Sequence, residues 1–350
     1  MSFLRNLALT LGFTERRRDG RTLVGDLDVS YWTGVERKRF SIRDISPTGV
    51  YLHTDERWMP GTSVLLTMQR RSLLDRHSQP EVRLQATVVR LGADGVGLTF
   101  VQDHIDMATW LKLMSRATEL IAQHDAVRVF RVTKALAFLL RISPGCEDRI
   151  LKLITEELSH EKAEIAIEMV LKAEEMLLSQ NCAPRVAVSP SVVLRILETG
   201  SALDDEQVRQ WWTGLLAAAP LDDSEVGGIQ RFVDILSDLD GTHVRIFMTG
   251  CTRAMQIGWK TGFIFPETFY CTPEEIKRIA GAGNTVRLEQ DLNRLSDLGL
   301  LQRTVKRNAL APVERANITP TALGLALYAR CTGQTDLPET LDPAEAETAD

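Results

Sequence analysis

The chain has 350 residues, 44% hydrophobic and 25% charged, which suits a globular protein of two or three domains. No stretch reaches the ~18 uninterrupted apolar residues of a membrane-spanning helix, and five cysteines without a C-x-x-C pair speak against a zinc site or a disulfide framework. The net charge of −6 disfavours a general nucleic-acid binder, yet residues 1–102 hold 15 basic and 11 acidic residues, a net +4, leaving −10 for the rest.

A basic head on an acidic body predicts that the head holds an anion. The opening MSFLRNLALTLGF is not patterned as a signal peptide, because Arg5 and Asn6 break its apolar run. The chain therefore reads as cytoplasmic, with no membrane insertion. Phe3, Leu4, Leu7 and Leu11 are spaced for a short amphipathic helix over 2–12.

Six strands follow, over 23–32, 36–45, 49–54, 62–68, 81–91 and 95–101, each alternating β-branched or aromatic residues with polar ones. Turn residues separate them: Thr33-Gly34, Pro47-Thr48-Gly49, Pro60-Gly61 and Ala93-Asp94-Gly95. So many short strands in so little chain predict a six-stranded antiparallel barrel, which removes exposed sheet edges. After Gln102 the period changes to helical. Helices are expected over 105–122, 128–140, 160–179 (capped by Ser159), 190–199, 205–218, 225–238 and 242–256. Ser143-Pro144-Gly145 is a break, and Asn181–Ser191 reads as a hinge. Trp211, Trp212 and Trp259 are expected in the core. The polar stripe Glu161, Glu164, Glu168, Lys172 and Glu175 is expected to face water.

The C-terminal part predicts helix, turn, helix, two-stranded wing, helix over 273–331. Thr272-Pro273-Glu274-Glu275 is a capping box. The second helix carries Leu288, Leu292, Leu295 and Leu298 and stops at Gly299. Leu300–Val305 and Val313–Ile318 would flank a wing at Lys306-Arg307-Asn308, and Thr319-Pro320 would open the last helix, with Leu323, Ala326 and Leu327 inward. The tail, 334–350, has six acids and no base, too polar to fold. The fold class is α+β multidomain: a barrel over 1–102, a helical connector over 103–180, an output domain over 190–333 and the tail.

Two motifs in the head fit one ligand. Residues 15–21 read Glu-Arg-Arg-Arg-Asp-Gly-Arg, setting Arg17 and Arg21 four apart beside Arg16 and Arg18. Asp44, Ser46 and Gly49 follow as D-x-S-x-x-G between two strands. A guanidinium matches the O6 and N7 acceptors of guanine, while a carboxylate and a hydroxyl match its N1–H and N2–H₂ donors. Remaining arginines suit phosphates. This is a site for a guanine nucleotide. Residues 13–102 resemble a PilZ domain, through R-x-x-x-R (Arg17, Arg21), D-x-S-x-x-G, the GVYL strand and the closing Gly95–Phe100 segment. The resemblance implies a receptor for cyclic di-GMP, with Arg16, Arg17, Arg18, Arg21, Asp44, Ser46 and Gly49 binding the ligand as one molecule or an intercalated pair. It also implies an arm that closes over the ligand.

The L-x-x-L-x-x-L-G-L-L and I-T-P-T-A-L-G segments resemble winged-helix domains and, with Val233–Met255, an Abi-alpha type domain. On the second helix Glu289, Asp291 and Asp297 oppose Arg287 and Arg294, poorly suited to a phosphate-lined groove. A protein partner is the expected output, with a DNA-binding regulator as the alternative and a ligand-independent adaptor as a third. G-x-S-x-G, H-E-x-x-H and Walker A patterns are missing, and the histidines are scattered. Neither catalytic residues nor metal ligands nor a cofactor are therefore expected.

Overall fold

Alternation on short strands closes a barrel, and helical periodicity builds most of the described residues after it. The computed structural model describes residues 27–32, 36–70, 81–101, 105–121, 126–180, 182–221, 228–258, 268–281, 285–303 and 315–333. Segment 2–12, the arginines at 16, 17, 18 and 21, Trp259, the wing tip 306–308 and the tail 334–350 lie outside these. The chain divides into two compact units, Met1–Ala163 and Glu164–Asp350.

In the first unit, β1 (Leu27–Trp32), β2 (Arg37–Ser46), β3 (Gly49–His53), β4 (Ser63–Arg70), β5 (Glu81–Leu91) and β6 (Gly95–Phe100) form a closed barrel in the order β1-β2-β3-β6-β5-β4. Every neighbouring pair is antiparallel. The six predicted strands are these six. Inward residues such as Val29, Leu52, Leu66, Met68, Ala86 and Val96 are buried, as the period-2 pattern requires. Two bulges interrupt it. One lies between Ile42 and Asp44, the other between Val88 and Arg90. Each extra residue turns two consecutive side chains outward, Arg43 with Asp44 and Val89 with Arg90.

The barrel is followed by α1 (Met107–Leu120) and α2 (Ala126–Ile142). Asp106 caps α1 by accepting from the amides of Ala108 and Thr109. Phe130 of α2 meets Phe100 of β6 edge-on at 5.5 Å, and the Lys134 ammonium donates to the carbonyl of Arg83 at 2.9 Å. After the break at Ser143–Gly145 comes α3 (Glu147–Lys152), which widens into a π-helical turn, Leu153–Glu157. The sequence announces this element weakly: Ile150, Leu153 and Ile154 stand at helical spacing, but with Leu151 they span little more than one turn after the Ser143–Gly145 break. The helix α4 (His160–Ser179) has the predicted bounds and contains the boundary between the units.

The second unit adds α5 (Pro190–Ser201), α6 (Glu206–Ala218), α7 (Gly228–Ser237) and α8 (Gly241–Gly258). Trp211 and Trp212 are in its core. Trp211 packs edge-on against Phe247 at 5.6 Å and Tyr328 at 6.1 Å. Then come β7 (Tyr270–Cys271), α9 (Pro273–Ala280), α10 (Thr285–Asp297), β8 (Ala316–Asn317) and α11 (Ala322–Thr332). The capping box at Thr272 and Glu275 is formed, and Gly281, Gly299 and Gly333 end their helices with positive φ.

Of the predicted wing, residues 304–314 lie outside the described residues. β8 pairs with β7, a strand absent from the sequence reading, while 301–303 meets the chain through a Leu301↔Pro320 bridge and a Gln302 amide to Thr319 carbonyl bond of 2.9 Å. Pro320 is thus part of a strand contact, and Thr321, not Thr319, caps the last helix. Within it Gly324, Leu325, Leu327, Ala329 and Cys331 are buried, while Leu323 and Ala326 are half-buried. A second correction concerns α10. Asp291 faces inward, its Oδ1 3.6 Å from His243 Nε2, so it does not belong to the outward charge of that helix. The other His243 nitrogen, Nδ1, lies 2.8 Å from Asp240 Oδ1.

Candidate functional site

Asp44, Ser46 and Gly49 come together because the β2–β3 hairpin turns tightly between them. Asp44 pairs with Tyr51, Ile45 with Val50 and Ser46 with Gly49, with Pro47 and Thr48 at the tip. Beyond the bulge the strand is regular, so Asp44 and Ser46 share the outer face about 6.6 Å apart along the chain. The Asp44 side chain is 61% exposed, and that of Ser46 is also exposed.

The register extends each of them across the sheet. One row runs Asp44, Tyr51, Gly97, Arg90, and the next runs Ser46, Gly49, Thr99, Thr87, Ser63. The first row is charged and aromatic, the second hydroxylic. Glycine is needed at both crossings. A Cβ on Gly49 would overlap the Leu98 carbonyl, and one on Gly97 would come within 2.7 Å of Arg90 Cγ and Nε.

The turn is braced from inside. The Ser46 hydroxyl donates to the Gly49 carbonyl at 3.2 Å and accepts from the Thr48 amide at 3.4 Å. The Thr48 carbonyl accepts from the Phe100 amide at 2.9 Å, and the Pro47 carbonyl accepts from the Trp110 indole at 3.1 Å.

Beside Asp44 lies a cluster that the motifs did not announce. Arg43 Nε is 3.0 Å from Asp44 Oδ2, and the Arg43 guanidinium covers the Tyr51 ring at 3.4 Å from its centroid. Arg90 approaches the same ring at 5.3 Å. The Tyr51 hydroxyl donates to Asp94 Oδ1 at 2.8 Å, and His53 Nδ1 is 3.4 Å from Asp94 Oδ2. Burial, then the bond to Asp94, pushes the Tyr51 phenol above its ordinary value of 10.0. The same hydrogen bond, helped by Arg43 and His53, holds Asp94 below 3.8. These residues were hidden by their distance in sequence. The signals that could have found them are the bulge, which puts Arg43 outward, and the glycines Gly92 and Gly95, where a Cβ would run into the Tyr51 ring.

The chemistry follows from the parts. An exposed carboxylate beside a hydroxyl accepts paired N–H donors such as those on one edge of guanine; Arg90 adds positive charge within the same row and Arg43 adds it beside Asp44. Exposed ion pairs such as Arg43–Asp44 hold little free energy, so Asp44 remains free to exchange its partner for a ligand. The arginines at 16, 17, 18 and 21 lie outside the described residues. Among the described residues, no cluster of three or more His, Cys, Asp or Glu side chains could hold a metal ion, and no helix is long and apolar enough to cross a membrane.

Barrel, turn and outer face together make a closed β-barrel module with an exposed polar face at the β2–β3 turn. Residues 15–116, the barrel and most of α1, match the family model of the PilZ domain. No curated protein matches the chain.

Proposed function

We propose that the chain is a cyclic di-GMP effector that grips the messenger between the outer face of β2–β3 and the arginine arm. Asp44 and Ser46 take the donor edge of a guanine, Gly49 keeps the turn tight beneath it, and Arg16, Arg17, Arg18 and Arg21 take the acceptor edges and phosphates. The observation that carries this reading is the outward pairing of Asp44 with Ser46 on one face of a PilZ barrel. Residues 1–102 then bind, 103–180 connect and 190–333 deliver the output to a protein partner in the cytoplasm, without catalysis. A calorimetric titration of Asp44→Ala tests the site: at least a tenfold loss of cyclic di-GMP affinity is expected. Unchanged affinity would remove Asp44 from it.

A DNA-binding output is the second reading, favoured by one observation. The order α8, β7, α9, α10, the 301–303 segment and β8 has the sequence of elements of a winged helix. The net charge of that face weighs against it: Asp238 and Asp240, in the turn before α8, lie 2.7 Å from Arg294 and 3.8 Å from Arg287, so acidic groups flank the arginines that would meet phosphates. Weak binding that vanishes as salt rises supports the protein-partner reading. Sequence-specific nanomolar binding near physiological salt would replace it.

A further inference from the structure

The inner side of the Ser46–Gly49 turn is held by a helix that belongs to no part of the binding motif. Trp110 lies on α1 and is completely buried, 0% exposed. Its indole N–H, a donor with no acceptor capacity, ends on the carbonyl of Pro47, 63 residues earlier in the chain. Pro47 is itself buried, so this carbonyl cannot turn to bulk water instead. The next carbonyl, that of Thr48, is taken by the Phe100 amide of β6. Two consecutive peptide groups of one turn are therefore fixed from the inside, one by a helix and one by the barrel wall.

The position of Trp110 is set in turn by the start of α1. Asp106 accepts from two amides of the first turn and from the Thr109 hydroxyl at 2.6 Å, which fixes where the helix begins and hence where its fourth residue points. The side chains on the outer side of the same turn are Ser46 and, two pairs further, Asp44. A load on the outer side must be passed to the inner contacts, because the turn has only two residues at its tip. The barrel wall contact is between strands already paired and has little freedom. The helix contact is a single hydrogen bond to an element outside the sheet.

We infer that Trp110 is the positioning residue of the ligand turn, and that through its indole the occupancy of the Asp44–Ser46 face and the packing of α1 bias each other. Such coupling is reciprocal: a ligand that tightens the turn tightens α1, and a change in α1 alters affinity at the turn by the same factor. The inference rests on the reading of Asp44, Ser46 and Gly49 as ligand contacts.

The test uses the full chain, cyclic di-GMP, and three proteins: wild type, Trp110→Phe and Leu113→Ala. Leu113 is a buried α1 residue one turn along and serves as a control for mere loss of helix packing. Affinity is read by calorimetry and α1 by backbone hydrogen exchange over 107–120. In wild type the ligand is expected to raise protection of α1. Trp110→Phe is expected to bind about five- to tenfold more weakly and to lose that added protection. Leu113→Ala is expected to be less stable yet to keep both affinity and response. The wild-type exchange arm stands even if Trp110→Phe fails to fold. Binding to wild type with no change in α1, or an unaltered affinity and response in Trp110→Phe, would overturn the inference. Failure of wild type to bind would overturn the site reading and the inference with it.

Discussion

Replacing Gly49 by alanine adds one methyl group where two strands cross with no space between them. An ideal Cβ there falls far inside contact distance of the Leu98 carbonyl oxygen, 3.2 Å from its carbon and 3.3 Å from Thr99 Cα. All three atoms are backbone, so no side chain can swing away; β3 and β6 must separate. Separation strains the Val50↔Leu98 and Gly49↔Thr99 pairing and the Phe100 amide bond to Thr48. Overpacking of this kind costs roughly 1–3 kcal/mol, and an obstacle made only of backbone belongs near roughly 3, about a hundredfold in the opening equilibrium. Gly61→Ala is the control. It has a positive φ of 90° but nothing within 4 Å, so only its conformational penalty of about 1 kcal/mol applies. Because the chain has two compact units, the loss is read from native-state hydrogen exchange of β3 and β6 amides rather than from a single global transition. If Gly49→Ala costs no more than Gly61→Ala in those amides, the close-approach argument is wrong.

The remaining expectations are more local. Gly214→Ala places a Cβ 3.1 Å from Cys331 Cα and closer still to its carbonyl, which wedges α6 from α11; roughly 2–3 kcal/mol should be lost in urea unfolding of the second unit, and an unchanged midpoint would contradict that packing. The Tyr51–Asp94 bond makes barrel stability depend on pH at both extremes. Asp94 is held below 3.8, so its contribution is present above that value and fades as pH falls through the lowered one; Tyr51 is pushed above 10.0, so its contribution is present below that value and fades as pH rises through the raised one. Between pH 5 and 9 the pair should add no slope, and Tyr51→Phe should flatten both ends of the urea-midpoint profile; a profile identical to wild type would rule the bond out as their cause.

Much of this was legible in the sequence, for reasons that differ along the chain. The six strands announced themselves because each buries one face, so apolar and polar residues alternate along Leu27–Trp32 and Glu81–Val88. The helix ends at Thr272 and Gly299 were readable because caps depend on the local backbone alone. What escaped depended on partners distant in sequence. Nothing near Tyr270 and Cys271 tells that they pair with Ala316 and Asn317, and nothing near Asp291 tells that His243 turns it inward. At the candidate site the motif named Asp44, Ser46 and Gly49, whereas Tyr51, Arg90 and Asp94 join them only through sheet register. In the sequence Trp110 is one apolar residue among several, because its bond to Pro47 closes a loop of 63 residues.

The central claim is that this barrel takes cyclic di-GMP between its outer face and the arginine arm. Its most direct test is a calorimetric titration of the full chain with cyclic di-GMP, repeated for Arg17→Ala and Arg21→Ala. Saturable binding by wild type and at least a tenfold loss in each variant, on the order of 1.4 kcal/mol or more, are expected. Absence of binding to wild type, or arginine variants that bind as wild type does, would contradict it.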